Sequence, residues 1–188
     1  MTDSEKLTEQ KITSKEVFKG RLLHAFSDEV RLPDGATSTR EWIKHPGAAA
    51  VLPVFPNGDV MLIKQFRYPL DKVFCEVPAG KIDAGEEPEK TAIRELEEEA
   101  GLICRNIHFL AGFHPTIGYS DEIIHLFCAW DLNKVDQQVD SDEFVETKQV
   151  SFEDAVQMVY DGKMTDGKSM VNILLAWNWW QQEGPFEV

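Results

Sequence analysis

Apolar residues fall along this chain in short runs separated by turn signals, and one segment in the middle changes to helical period. Near the start, "VFKGRLLHAFSDEVRLPDGATSTREWIKH" holds two extended runs around Pro33-Asp34-Gly35, which predicts a hairpin. "AAAVLPVFPNGDVMLIKQF" repeats the design with an apolar strand, an Asn57-Gly58 turn and a second apolar strand, Asn-Gly being the strongest short hairpin cue. "KVFCEVPAG" reads as a further strand halted by Pro78 and Gly80. In "EEPEKTAIRELEEEAG", Pro88 suits a first helical turn, Ala92, Ile93 and Leu96 make an apolar stripe and Gly101 supplies a stop, so a helix is expected over about 87–100. "CRNIHFLAGFH" and "EIIHLFCAWDL", rich in β-branched and aromatic residues, read as strands. "SFEDAVQMVYDGK" opens on Ser151 with Asp154 three positions later, like a capping box, and "SMVNILLAWNWW" should be a last helix. With no repeat, low-complexity tract or convincing linker, the pattern predicts an α+β domain with a mixed β-sheet and N-terminal antiparallel strands. The expected division is 1–45 for the tail and those strands and 46–188 for the main domain.

Charge narrows the class of ligand. The formal net charge of −14 argues against nucleic acid as a partner, because a grip on phosphates relies on lysine and arginine displacing counterions. It also means that an anionic substrate would need bound cations in order to approach. The polar start "MTDSEKLTEQKITSKE" lacks the apolar core of a secretory signal, and no apolar run is long enough to span a bilayer. Cys75, Cys104 and Cys128 stand at unrelated spacings in apolar stretches, which suits reduced thiols in the cytoplasm and makes a zinc site improbable.

The predicted central helix concentrates carboxylates. Glu95 lies three residues before Glu98 and four before Glu99, so the three share one face, where like charges cost a few tenths of a kcal/mol per pair, roughly, in an isolated helix. One reading is a solvated acidic face, the usual meaning of a charge run. The other is a set of hard oxygen ligands for Mg²⁺ or Mn²⁺, which would turn an acidic groove into one that accepts a diphosphate. Spacing decides between them. Gly80, five residues, Glu86, seven residues, Arg94-Glu95-Leu96, one residue, Glu98-Glu99, one residue and Gly101-Leu102 reproduce the Nudix box at every specified position. A chance match at nine positions has a probability on the order of 10⁻⁹ per window at average residue usage.

The chain therefore resembles the Nudix hydrolase superfamily. "HPGAAAVLPV", "IKQFRYPL", "EVPAGKID", "YSDEIIHLF" and "DSDEFVE" resemble consecutive blocks of its branch of ADP-ribose pyrophosphatases and nucleoside diphosphate sugar hydrolases, from about Gly20 to the last helix. The resemblance implies an α/β/α sandwich and cation-dependent hydrolysis of a nucleoside diphosphate linked to another moiety. It implies that Glu95, Glu98, Glu99 and the carbonyl of Ala79 hold two or three divalent cations, Mg²⁺ or possible Mn²⁺. It gives Gly80 a tight loop, Gly101 a left-handed cap, and Glu86 and Arg94 an orienting ion pair. In this branch the base comes from an acidic loop after the box, here "VDSDEFVET", with Glu143 the choice and Asp142 and Glu146 the fallbacks. Arg67 and Arg40 match positions that contact the diphosphate or stack on the base, with strand-edge salt bridges as the other reading. Trp42 is open between base stacking and core packing. His45, His114 and His125 read as packed or hydrogen-bonded residues.

One departure bears on the substrate. "HPTIGYSDE" has Ile117 where the branch carries its marker proline, which loosens the preference for ADP-ribose and admits GDP-mannose or other nucleotide sugars. Gly118, Ser120, Asp121 and Glu122 are the candidates bordering the sugar side. The N-terminal strands resemble those this branch exchanges between subunits, so a homodimer is expected in which Arg40 enters the opposite chain's groove. The alternatives are a nucleoside triphosphate or dinucleoside polyphosphate hydrolase, and a non-catalytic nucleotide-sugar sensor.

Overall fold

The structure, a computed structural model, describes residues 6–139, 141 and 143–185. Among the described residues the chain order is β1 (Gln10–Lys19), β2 (His24–Arg31), β3 (Thr37–Lys44), β4 (Ala48–Pro53), β5 (Asp59–Arg67), a 3₁₀ turn (Tyr68–Leu70), β6 (Lys72–Glu76) and β7 (Ala79–Lys81). There follow α1 (Pro88–Ala100), β8 (Leu102–Phe113), β9 (Ile124–Lys134), β10 (Val145–Ser151), α2 (Phe152–Tyr160) and α3 (Gly167–Glu183). None of these helices is long and apolar enough to cross a membrane.

The run "AAAVLP" is apolar without alternation because β4 is buried on both faces. It lies between β7, antiparallel, and β9, parallel, in a mixed sheet of order β7-β4-β9-β8. Ala48, Ala50 and Leu52, with Leu126 and Cys128, pack against Phe152 and Ala155 of α2 and Ile173, Ala176 and Trp180 of α3. Ala49 and Val51, with Phe127 and Ala129, face Ala92, Leu96 and Ala100 of α1. Helices on both faces of one sheet give the α/β/α layering, and each fully buried Leu or Val contributes about 1.5–3 kcal/mol to it. The layering fixes α1, and its carboxylate face, against the strand edge that begins at Ala79.

The helix ends follow the residue chemistry. Pro88 opens α1, and Gly101 closes it in the left-handed region at φ 61°, its N–H reaching the carbonyl of Glu97. Ser151 Oγ accepts from the Asp154 N–H at 3.0 Å, as the capping pattern predicts. In α3 the Asp166 carboxylate caps in the same way, accepting from Ser169 N–H.

Four local expectations change. The Asn57-Gly58 turn forms, with Gly58 at φ 81°, but β4 and β5 meet only through a bridge between Val54 and Val60. Burial of both faces of β4 draws it to β9, and β5 joins a separate sheet of order β10-β5-β6. Pro78 does not end the extended chain but switches it between sheets, since β6 pairs with β5 and β7 with β4. The two strands without an apolar signature are β1, exposed along its whole length, and β10, whose polar "VETKQVS" pairs with β5. Neither buries a continuous apolar face, so neither carries period-two hydrophobicity.

The chain divides into two compact units: the β1-β2-β3 sheet together with Thr116–Glu122, and Gly47–Pro115 together with the chain from Ile123 onward.

Candidate active site

One arginine offsets the repulsion on the acidic face of α1. Arg94 Nη1 donates to Glu95 at 2.7 Å and to Glu98 at 2.9 Å, while Nε and Nη2 both donate to Glu86 at 3.1 Å. Its Nη2 also reaches the Lys81 carbonyl, which fastens the loop before the helix to the helix itself. Hydrogen bonds from Arg94, then from Thr91, hold the Glu86 carboxyl down to about 2. The Glu86–Arg94 ion pair expected from the sequence is therefore present.

Glu99 is 3% exposed and accepts the Ala79 N–H at 2.8 Å. Burial, which the Ala79 bond only partly offsets, pushes its carboxyl up to about 8, and the charges of Glu95 and Glu143 add to the rise. Burial also raises Glu95 in spite of its bond to Arg94, with Glu98 and Glu143 adding to the rise. Glu95, Glu98, Glu99 and Glu143 thus form one electrostatic group across α1 and the β9–β10 connection.

Gly80 is required for a reason other than the tight loop expected. It lies in β7 opposite Ala49, and a Cβ built on it would stand 1.8 Å from Glu95 Oε1 and 2.1 Å from its carboxyl carbon. The missing side chain lets the Glu95 carboxylate rest against the strand backbone. Gly80→Ala should therefore displace that carboxylate, and calorimetric titration of Mn²⁺ should show at least about tenfold weaker binding, the size of effect seen when a ligand's support is lost. Unchanged affinity would show that Glu95 does not need this position.

Arg67 is not free to move its whole fork. Its Nε and Nη2 donate to the two oxygens of Glu76 at 2.8 and 2.7 Å, and Glu76 is 2% exposed. Lys168 from the first turn of α3 also bonds Glu76, and reaches Asp166 at 2.8 Å. The salt bridge expected as the other reading of Arg67 is thus observed, yet the guanidinium also feels the charge of Glu99. Arg67, Phe74, Glu76, Asp166 and Lys168 line a cavity of about 370 Å³. Glu76 and Lys168 went unnoticed in the sequence, although a lone acid inside the apolar "VFCEV" was a signal for Glu76.

Glu143 is exposed and lines a cavity of about 470 Å³ with Lys64, Phe66 and Glu146. Glu146 pairs with Lys64 across the β10–β5 ladder, three positions from Arg67, and so lies on the face opposite that arginine. Both acids line that cavity, but Glu146 stands 3.8 Å from the Lys64 ammonium, whereas Glu143 is the one whose charge is felt at Glu95 and Glu99. Asp142 lies outside the described residues.

The N-terminal unit holds the other candidates. Arg40 forms a fork with Glu9 at 2.9 and 2.5 Å. Trp42 is stacked on Phe26 with ring centroids 4.9 Å apart, and its indole N–H reaches Asp28, so packing accounts for at least one of its faces. Ser120 bridges Ile43 and its hydroxyl accepts the Glu122 N–H; Asp121 accepts the His45 N–H, and Glu122 stands 3.5 Å from the His45 ring. Gly118 is exposed beside them. His125 is pushed down by burial, as a packed residue should be, whereas His114 is exposed rather than packed.

Among the described residues, no three acidic, histidine or cysteine side chains already converge as a cation cage. The reason is visible, since Arg94 draws Glu95 and Glu98 to its own donors. The donor set nevertheless suits a divalent cation: hard carboxylate oxygens, two of them on buried residues whose ionised forms are disfavoured until positive charge is supplied.

The model of the NUDIX domain matches residues 44–171, and that of the nucleoside diphosphate sugar hydrolase N-terminal domain matches residues 9–43. The chain belongs to the Nudix family. This Nudix hydrolase is 42% identical to an ADP-ribose pyrophosphatase of Bacillus subtilis (strain 168) over 165 residues, covering 87% of this chain and 89% of that one. It is 39% identical to a methanol dehydrogenase activator of Bacillus methanolicus, covering 89% and 92%, and 32% identical to a GDP-mannose pyrophosphatase of Yersinia enterocolitica, covering 88% and 91%. The crystal structure of an ADP compounds hydrolase superposes with a TM-score of 0.83 at 20% identity, over 95% of this chain and 97% of that one, a likeness of fold. Members of the family generally require a divalent cation.

Proposed function

We propose that this Nudix hydrolase splits the diphosphate of nucleoside diphosphate sugars, ADP-ribose and GDP-mannose among them, into a nucleoside monophosphate and a sugar phosphate. The observation that carries this reading is Glu99: a buried carboxylate flanked by the charges of Glu95 and Glu143, inside an intact motif. That arrangement is costly for the protein alone and suits binding of cations that in turn hold a diphosphate. Mg²⁺, or Mn²⁺ in its place, would be held by Glu95, Glu98, Glu99 and the Ala79 carbonyl; when bound it neutralises diphosphate charge and makes water more acidic.

Glu143 takes the proton from the attacking water as a new P–O bond forms and the bridging P–O bond breaks, the departing phosphate oxygen leaving with the electron pair. Arg67, oriented by Glu76, donates to the diphosphate. Gly118, Ser120 and Glu122 border the sugar, and Arg40 contacts the nucleotide from the second subunit of a homodimer. The cytoplasm, where the thiols of Cys75, Cys104 and Cys128 would stay reduced, is the compartment that suits the chain, and cell fractionation checks it.

The reading is tested by product chromatography on ADP-ribose, GDP-mannose, ADP-glucose, UDP-glucose, ATP and a diadenosine polyphosphate, with Mg²⁺ and with chelator. Metal-dependent release of a monophosphate from the sugar nucleotides is expected. Cleavage of ATP or the dinucleotide in preference to every sugar nucleotide would overturn the substrate class. Light scattering of the same preparations over a dilution series should show a dimer, and a monomer throughout would remove Arg40 from the site.

A further inference from the structure

The last turn of a helix leaves carbonyls without partners inside the helix, and something outside must supply donors. In α1 those donors come from the segment just after β9. Val135 N–H donates to the Gly101 carbonyl at 2.9 Å, Gln138 N–H to Glu98 at 3.1 Å, and the side-chain amide of Gln137 to Glu99 at 2.5 Å. The segment can lie this close because Gly101 has no side chain: a Cβ there would stand 2.9 Å from the Val135 carbonyl and 3.4 Å from Gln137 N. The same Gln137 amide also reaches the Val145 carbonyl at 3.4 Å. Val145 opens β10 and follows Glu143 by two residues.

One side chain therefore joins the backbone of Glu99 to the backbone beside Glu143. Glu98 and Glu99 carry the carboxylates read here as cation ligands, and the charge of Glu143 is felt at Glu95 and Glu99. A base has to stand within hydrogen-bond reach of the proton it takes, so its placement relative to those carboxylates governs the rate. We infer that Gln137 is a positioning residue that holds Glu143 in register with the carboxylates of α1. The inference rests on the reading of Glu143 as the base. Ordinary capping of the helix end would need only the contact to Glu99; the second contact, to Val145, ties in the strand next to the base.

The test compares Gln137→Met, which keeps length and removes the donor, with Gln137→Lys, which restores one where a cation also suits a helix C-terminus. Both are measured on ADP-ribose with Mg²⁺, alone and combined with Glu143→Gln. Gln137→Met should lower kcat roughly tenfold, the size of one or two lost hydrogen bonds, with KM and Mn²⁺ affinity unchanged. Gln137→Lys should regain most of that loss. Combined with Glu143→Gln, Gln137→Met should cost nothing more, because there is no base left to misplace. Hydrogen exchange should quicken at the Val135 and Gln138 amides in Gln137→Met and stay unchanged at Leu96. Undiminished kcat in Gln137→Met, or an equal loss with and without Glu143, would overturn the inference while leaving the base in place. Full turnover by Glu143→Gln alone would overturn the base and the positioning role together, and is recognised from that single variant.

Discussion

Glu99→Gln should reduce turnover of ADP-ribose by more than about a hundredfold, since loss of a ligand's supporting partner alone typically costs 10- to 100-fold in metal affinity or activity. The same substitution should make the protein more stable than wild type at pH 8 in the presence of chelator. In the folded protein the Glu99 carboxyl is pushed up to about 8, chiefly by burial, whereas an ordinary glutamate titrates near 4.5. Between those values the folded state holds a proton that the unfolded state has released. Stability therefore falls as pH rises from about 4.5 to about 8. A glutamine carries no charge at either pH and can still accept the Ala79 N–H, so it escapes that loss. Thermal melts in EDTA should show little difference between the two proteins at pH 4.5 and a clear advantage for the variant at pH 8. A wild-type protein that is no less stable at pH 8 would show that Glu99 does not ionise against its surroundings. Because cation binding requires the carboxylate form, wild-type Mn²⁺ affinity should climb as pH rises towards 8.

Glu143→Gln should lower kcat by about 10²–10⁴-fold, the range a positioned general base supplies, with KM for ADP-ribose little changed. Its effect on the cation should be far smaller than that of Glu99→Gln, which removes a ligand. The Glu143 charge is one cause of the raised Glu95 and Glu99 carboxyls. Removing it should bring both carboxyls down, but it also withdraws a negative charge that attracts the cation, so Mn²⁺ affinity should change little near neutral pH. Slow chemistry joined to nearly unchanged cation binding is a combination that loss of a ligand cannot produce. A variant that loses cation affinity in step with turnover would move Glu143 from base to ligand.

These two glutamates differ in how legible they were. Glu99 announces itself through spacing: i, i+3 and i+4 positions share a helix face whatever surrounds them, and the stripe of Ala92 and Leu96 fixes which way that face turns. Glu143 rests on resemblance to a loop block, because nothing in "VDSDEFVET" tells one acid from the next. What sets Glu143 apart is spatial: its charge is felt at Glu95 and Glu99, while Glu146, in β10, pairs with Lys64. That strand was itself unforeseen, since its residues bury no continuous apolar stripe. Gly80 was marked by the motif, but its purpose was visible only once the Glu95 carboxylate lay where a Cβ would be.

Sequence alone determined the order of elements around α1, the caps at Pro88, Gly101 and Ser151, the shared face of Glu95, Glu98 and Glu99, and membership of the family. These depend on local periodicity, backbone stereochemistry and motif spacing, all written within a few residues of one another. Tertiary structure alone decided that the Asn57-Gly58 turn sends its two strands into different sheets and that Glu76 and Lys168 hold Arg67. It alone decided that Gln137 ties the end of α1 to the start of β10. Each of these joins residues far apart in the chain through pairing and burial, and a linear pattern of hydrophobic and polar positions carries no record of which distant partner will fill a given hydrogen bond.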